Sequence, residues 1–193
     1  MINYKRILLK LSGEALSDNR QKLILDAKHL DIVATAIKSM YEQGVQIAIV
    51  VGAGNIWRGK LAEQIGIERS TADYMGMLGT IINALALQSA IEKTGLECRV
   101  MSAIEVKAVS EPYIKKRAIS HMEKGRVVIF GGGTGNPFFT TDTTATLRAI
   151  EVEADAILMA KNGVDGVYDD DPRTNKDANF IPEITFGELL TRN

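Results

Sequence analysis

Apolar and polar positions along this chain fall into short apolar runs separated by longer segments of helical period. Five runs read as strands: Arg6 to Leu11, Val45 to Val51, Glu97 to Met101, Arg126 to Phe130 and Asp155 to Ala160. Most are continuously apolar rather than alternating, as strands covered on both faces should be. Asp26 as an N-cap, Leu30, Val33, Ile37 and Tyr41 at helical spacing, and Gly44 as a stop predict one crossover helix. Ala72 to Thr94, closed by Gly95, predicts a longer helix; Glu111 to Lys124, closed by Gly125, and Thr141 to Glu153 predict two more. Strands joined this way build a mainly parallel sheet. After the last strand the pattern stops, and only a short helical piece, Thr185 to Leu190, follows the turn-like YDDDPRTNKDANFIP.

Composition narrows the classes of partner. At 193 residues the chain has the size of one domain, enough to bury roughly 70 per cent of its unfolded surface. A formal net charge of -1 removes the simplest electrostatic case for binding nucleic acid or a membrane surface, so an anionic ligand needs a local constellation. Cys98 is the single cysteine, which excludes an intrachain disulfide and a sulfur-based zinc site and fits a reducing cytoplasm. The N-terminal apolar run is broken by Lys10 and has no export signature. Charges interrupt the apolar runs, so no membrane span is expected.

The glycines lie where a parallel sheet binds ligands, after the C-terminal ends of strands. Strand one runs into LSGEAL, strand two into GAGNIWRG, strand four into GGGTGNPFFTTD and strand five into KNGVDGVYDDDP. There is no G-x-x-x-x-G-K-[ST], and Gly52, Gly54 and Gly59 lack the G-x-G-x-x-G spacing. What remains is anion chemistry: glycine turns beside helix N-termini expose N–H groups that favour phosphate, and two or more such turns suggest two anionic ligands.

Each candidate has a plainer reading beside it. Lys10, before Ser12-Gly13, is either a strand-end surface lysine or a cation reaching charge that develops between two phosphates. Arg58 is a solvated arginine or a planar fork for phosphate; Trp57 reads as packing. Asp73 is a helix-start acid stabilised by the dipole, or an acceptor for ribose hydroxyls. Asp169 to Asp171 form a solvated turn closed by Pro172 or help hold a metal, although three successive side chains cannot all face one ion. Tyr168 stacks on a base or covers its loop, and Lys161 is a second candidate cation.

The segments KRILLKLSGEAL, VVGAGNIWRG, ADYMGMLGT, MSAIEV, GTGNPFFTTDTTA and AKNGVDGVYDDDP, in this order, resemble the bacterial UMP kinases of the amino acid kinase family across essentially the whole chain. TGNPFFTTD is the most specific of them. The resemblance implies an α/β fold, a three-layer αβα sandwich with its C-terminal part missing relative to the family. Residues 1–150 would be mainly the UMP-binding and oligomerisation part and 151–193 the start of the ATP-binding part. It also implies ATP-dependent phosphorylation of UMP to UDP with Mg2+, a homohexamer, and UTP and GTP as effectors.

The resemblance assigns roles by position. Lys10, Leu11, Ser12, Gly13 and Gly54 would contact ATP phosphates, and Asn162, Tyr168 and Asp171 would hold the nucleotide end of ATP. Ala53, Arg58, Asp73, Thr134, Gly135, Asn136, Pro137, Phe138, Phe139, Thr140 and Thr141 would surround UMP. Ala53 stands where many relatives have glycine, a change that preserves a backbone N–H contact if φ is negative. Lys10, Asp142 and Lys161 form the expected catalytic set, with Asp142 organising the cations and also able to cap its helix; the metal ligands are otherwise unknown. Arg99 and Arg126 would fall at an intersubunit effector site, or are strand-end surface arginines. At least one of Phe138 and Phe139 is expected to pack beneath the loop. Two other functions compete: a family member that phosphorylates a carboxylate or carbamate, and a non-catalytic nucleotide sensor on the same fold.

Overall fold

The structure, a computed structural model, describes residues 4–18, 20–160 and 164–191. It divides into two compact units, Met1–Ala160 and Lys161–Asn193. In the first, strands β1 (Arg6–Leu11), β2 (Gln46–Val51), β3 (Cys98–Ser102), β4 (Glu111–Pro112), β5 (Val127–Gly131) and β6 (Ala156–Met159) form one sheet in the order β4-β3-β5-β2-β1-β6. Every neighbouring pair is parallel. The helices are α1 (Ala27–Tyr41), α2 (Gly59–Gln64), α3 (Arg69–Lys93), α4 (Lys115–Glu123) and α5 (Thr141–Glu151), with a 3-10 turn at Gly13–Leu16.

Alternation along the strands separates two cores. Ile7, Leu9, Leu11, Ile47, Ile49, Val100 and Ile129 pack with Ala34 and Ile37 of α1 and Ala84, Leu87 and Ile91 of α3. The intervening Leu8, Ala48, Val50, Met101, Val128 and Phe130 pack with Ala118 and Met122 of α4 and Ala145 and Ala149 of α5. Side chains that point to opposite faces of a pleated strand thus find helices on both sides, which is the three-layer αβα arrangement.

The predicted strands and helices recur with small shifts, and the differences have physical causes. The helix expected from Glu111 starts only at Lys115, because Glu111 and Pro112 pair in parallel with Met101 and Ser102. α2 is too short to have shown a period. The uncharged stretch inside α3 corrects the expectation that charges break every apolar run: by length and composition alone this helix is long enough to cross a membrane. Half of that window is instead buried, with Ile81, Ala84, Leu87 and Ile91 against the sheet.

In the second unit, β7 (Val167–Tyr168) and β8 (Phe180–Ile181) form an antiparallel hairpin, followed by α6 (Phe186–Thr191). The hairpin was hidden because its strands are two residues each.

Candidate active site

Parallel strands bring the loops after β1, β2 and β5 to the same edge of the sheet. There the loops after β2 and β5 enclose, with α3 and the N-terminus of α5, a cleft of about 590 Å³. Ala53, Gly54, Trp57 and Gly59 line it from the segment after β2; Arg69, Ala72, Asp73, Gly76, Met77 and Thr80 from α3; and Gly133, Phe139, Thr140, Thr141 and Thr144 from the loop after β5 and the start of α5.

Lys10 is the last residue but one of β1 and is only 7% exposed. Its Nζ lies 2.6 Å from Asp142 Oδ1, on the first turn of α5. A buried ammonium needs such a partner, because desolvating an unpaired charge is costly. Asp142 does not cap the helix: Thr140 does, its side chain accepting from Thr143 N–H at 3.0 Å. Asp142 instead adds negative charge near the helix N-terminus, where the dipole favours it.

Leu11 is buried, and its carbonyl accepts from Gly52 N–H at 2.9 Å. Ser12 caps the 3-10 turn through Glu14 N–H. Arg58 is tied to Glu14 by an ion pair and donates from Nε to the Gly54 carbonyl at 3.2 Å. Its side chain is 62% exposed, so the guanidinium stands at the surface of the loop.

Asp73 joins two walls of the cleft. It pairs with Arg69 at 3.1 Å and accepts from Phe138 N–H at 2.8 Å. Of the run Thr134 to Thr141, Phe139, Thr140 and Thr141 line the cleft. Thr134 lines a separate hollow of about 330 Å³ with Ser102, Tyr113 and Arg148, and its hydroxyl accepts from Asn136 N–H at 3.2 Å. Gly135 donates its N–H back to the Gly132 carbonyl, closing the turn before Asn136 and Pro137. Phe138 and Phe139 are 65% and 58% exposed, which overturns the expectation that one packs beneath the loop. Phe138 takes φ 72, with the Arg69 guanidinium 6.0 Å from its ring.

The turn is held from below by Thr80, whose buried hydroxyl accepts from Gly132 N–H at 2.8 Å and donates to the Met77 carbonyl at 2.6 Å. Gly132 has φ 73, and a Cβ there would lie 2.7 Å from Ser102 Oγ, so no other residue fits. Cys98 is not part of the chemistry: it is buried away from the cleft on β3, and burial pushes its thiol up to about 12.

Arg99 and Arg126 lie at the N-terminal ends of β3 and β5, the opposite edge of the sheet. Arg126 pairs with Glu97 at 2.7 Å and meets His121 at 3.2 Å; Arg99 reaches Glu97 at 3.6 Å. Lys161 and Asn162 lie outside the described residues. In the second unit, the Asp171 carboxylate is held by the Arg173 guanidinium, which lowers its pKa, and Tyr168 meets Phe180 edge to face at 5.4 Å. Asp170 and Asp169 bond Asn175 and Asn179 respectively, so the acidic run stabilises its own turn.

A sequence model of the amino acid kinase family matches residues 5–193. The chain belongs to the amino acid kinase family. Among its relatives in that family is a uridylate kinase of Rubrobacter xylanophilus, 58% identical over 190 residues, 98% of this chain and 74% of the relative. The solved UMP kinase of Bacillus anthracis superposes with a TM-score of 0.93 at 48% identity, over 98% of this chain and 78% of that one. The UMP kinase of Ureaplasma parvum gives 0.92 at 41%, over 99% and 80%. The amino acid kinase fold therefore covers both units of the chain.

Several cleft residues had not been picked out from sequence. Arg69 lies four residues before Asp73, one helical turn, and that spacing alone could have placed both on one face. Trp57 was taken for packing; its Nε1 donates to the Ala72 carbonyl at 2.9 Å while its ring lines the cleft. Glu14, the partner of Arg58, carried no sequence signal.

Proposed function

We propose that this protein is a UMP kinase, transferring the γ-phosphoryl group of ATP to UMP to give UDP and ADP. The observation that carries the reading is the Lys10–Asp142 pair: a buried cation at a strand end, joined to the first turn of the helix whose N-terminal threonines line the cleft. That cleft opens between glycine-rich loops suited to phosphate. The uridylate and UMP kinase relatives supply the acceptor's identity.

In this reading a UMP phosphate oxygen attacks the γ-phosphorus in line. The new O–P bond forms as the bond to the bridging oxygen breaks, and ADP leaves with that electron pair. The step is reversible, and the protein's part is positioning and charge neutralisation. Lys10, with Ser12 and Gly13 beyond it, faces the donor phosphates, with Lys161 a second cation. Arg58 fixes the acceptor phosphate, Asp73 accepts from the ribose hydroxyls, and the Thr134–Thr141 run surrounds the nucleotide. Residues 1–150 are then mainly the acceptor-binding and self-association part, and 151–193 begin the ATP-binding part, with Asn162, Tyr168 and Asp171 on the nucleotide end.

No cluster of three or more His, Cys, Asp or Glu able to hold a metal occurs among the described residues. Magnesium is usually held by substrate phosphates and waters with one or two carboxylates, and Asp142 fits that mode. When bound, it would neutralise charge on the ATP phosphates. A homohexamer in the cytoplasm, with UTP and GTP acting near Arg99 and Arg126, belongs to the same proposal.

The test is ADP release from ATP with UMP, CMP, aspartate, glutamate and carbamate offered as acceptors. Release with UMP alone is expected. Release with a carboxylate or carbamate instead, or UMP binding without any release, would overturn the reading.

A further inference from the structure

Beneath the cleft, two asparagines form a closed amide pair. Asn83, fully buried on α3, donates from Nδ2 to the Gly52 carbonyl at 2.7 Å and to Asn55 Oδ1 at 2.8 Å. Asn55 donates in return to Asn83 Oδ1 at 3.0 Å and to the Ile24 carbonyl at 2.8 Å. All four amide hydrogens are used. Both orientations are also fixed, because the Gly52 and Ile24 carbonyls only accept; turning either amide over would set oxygen against oxygen.

The loop after β1 rests directly on this pair. A Cβ at Gly13 would lie 2.3 Å from Asn55 Oδ1, 2.6 Å from the Gly52 carbonyl and 2.9 Å from Asn83 Nδ2. One buried side chain of α3 therefore meets the segment that follows Lys10 and the segment that leads to Gly54 and Arg58. A merely satisfied core asparagine would be the simpler account. Against it, the side-chain hydrogen bonds of Asn83 with Gly52 and Asn55 leave its own helix for a loop, at a position flanked by Ala84 and Leu87, where an aliphatic residue would avoid the cost of burying an amide.

We propose that the Asn55–Asn83 pair is a positioning device for phosphoryl transfer, setting the separation between the loop after β1 and the loop after β2, and with it the separation of donor and acceptor phosphates. Neither asparagine touches a nucleotide in this account, which rests on the UMP kinase reading. Small errors in such a distance are costly, since a displacement of about 1 Å can lower a rate ~100-fold.

Asn83→Asp keeps the shape but turns an oxygen toward two acceptors; Asn55→Asp does the same from a half-buried position and is the easier variant to fold. Both are assayed in the full chain with ATP and UMP, below the melting temperature of each variant. The expected result is a fall in kcat of about tenfold or more with each KM within about threefold of the parent, because each loop keeps its own groups. Amide hydrogen exchange at residues 13–16 and 52–58 should rise about tenfold while β5 keeps its protection. A purely structural pair would lower the melting temperature and leave kcat unchanged. A kcat within about twofold of the parent in the folded variants, or unchanged loop exchange, overturns the proposal. If Asn83→Asp does not fold, Asn55→Asp decides by the same criteria. If the parent itself releases no ADP with UMP, the kinase reading fails, and loop exchange still decides whether the pair holds the loops.

Discussion

Lys10 Nζ and Asp142 Oδ1 lie 2.6 Å apart, joining the C-terminal end of β1 to the first turn of α5. The partners differ in exposure, 9% for the lysine side chain and 44% for the aspartate. Lys10→Ala should lower kcat with UMP by roughly 150-fold, about 3 kcal/mol, if the ammonium acts on developing phosphoryl charge as one oxyanion donor does. Near-normal turnover would remove Lys10 from the catalytic set.

The same asymmetry predicts stability. Removing Lys10 leaves a carboxylate whose side chain is 44% exposed, although the Oδ1 that faced the lysine is buried, whereas Asp142→Ala leaves a lysine side chain only 9% exposed without this carboxylate. Asp142→Ala should therefore cost more, about 2 kcal/mol, less than the roughly 3–5 seen for fully buried pairs because the aspartate side chain is partly exposed. Urea unfolding of Lys10→Met and Asp142→Ala checks this; equal losses would show that burial of the lysine does not matter.

Arg58 is held by Glu14 and the Gly54 carbonyl in the structure. Arg58→Lys keeps the charge and loses the fork, so the KM for UMP should rise about tenfold with a smaller change in kcat. Steady-state kinetics with varied UMP measure both, and an unchanged KM would make Arg58 a surface residue.

The parallel sheet and its loop edge were legible because strands buried on both faces are apolar throughout, and β1 matched its predicted span, Arg6–Leu11. Glycine turns pointed to anions, but their residues did not reveal which would face the cleft: Thr134 and Phe139 lie in the same run and line different hollows. Phe138 and Phe139 misled because aromatic residues usually pack, whereas this turn needs a positive φ at Phe138 and leaves both rings exposed. Contacts between distant segments, such as Glu14 with Arg58 and Asn83 with Gly52, have no local period to betray them. The β7–β8 hairpin was invisible for the opposite reason, being too short to carry any period.

Thr80 Oγ1 accepts from the buried loop N–H of Gly132 at 2.8 Å. Thr80→Val keeps the volume but strips the acceptor, so it should cost about 1–3 kcal/mol in chemical denaturation, while Thr80→Ser should retain most of the stability. Equal stability of the valine variant and the parent would show that the turn finds another acceptor.

Asp155 fastens the start of β1 to the strand beside it, its Oδ2 accepting from Lys5 N–H at 2.7 Å and Arg6 N–H at 2.8 Å. The Arg6 and Lys5 N–H bonds hold its carboxyl below the ordinary 3.8. A depressed carboxylate contributes stability that is fully present above its unfolded pKa and lost as pH falls through the lower folded value. Asp155→Asn should thus lower Tm at neutral pH, and the gap from the parent should close as pH falls below about 4, where the parent's carboxylate takes up its proton. Thermal melts between pH 7 and pH 3 read this directly. A gap that stayed constant across that range would mean that hydrogen-bond geometry, which asparagine also alters, and not carboxylate charge, secures the strand.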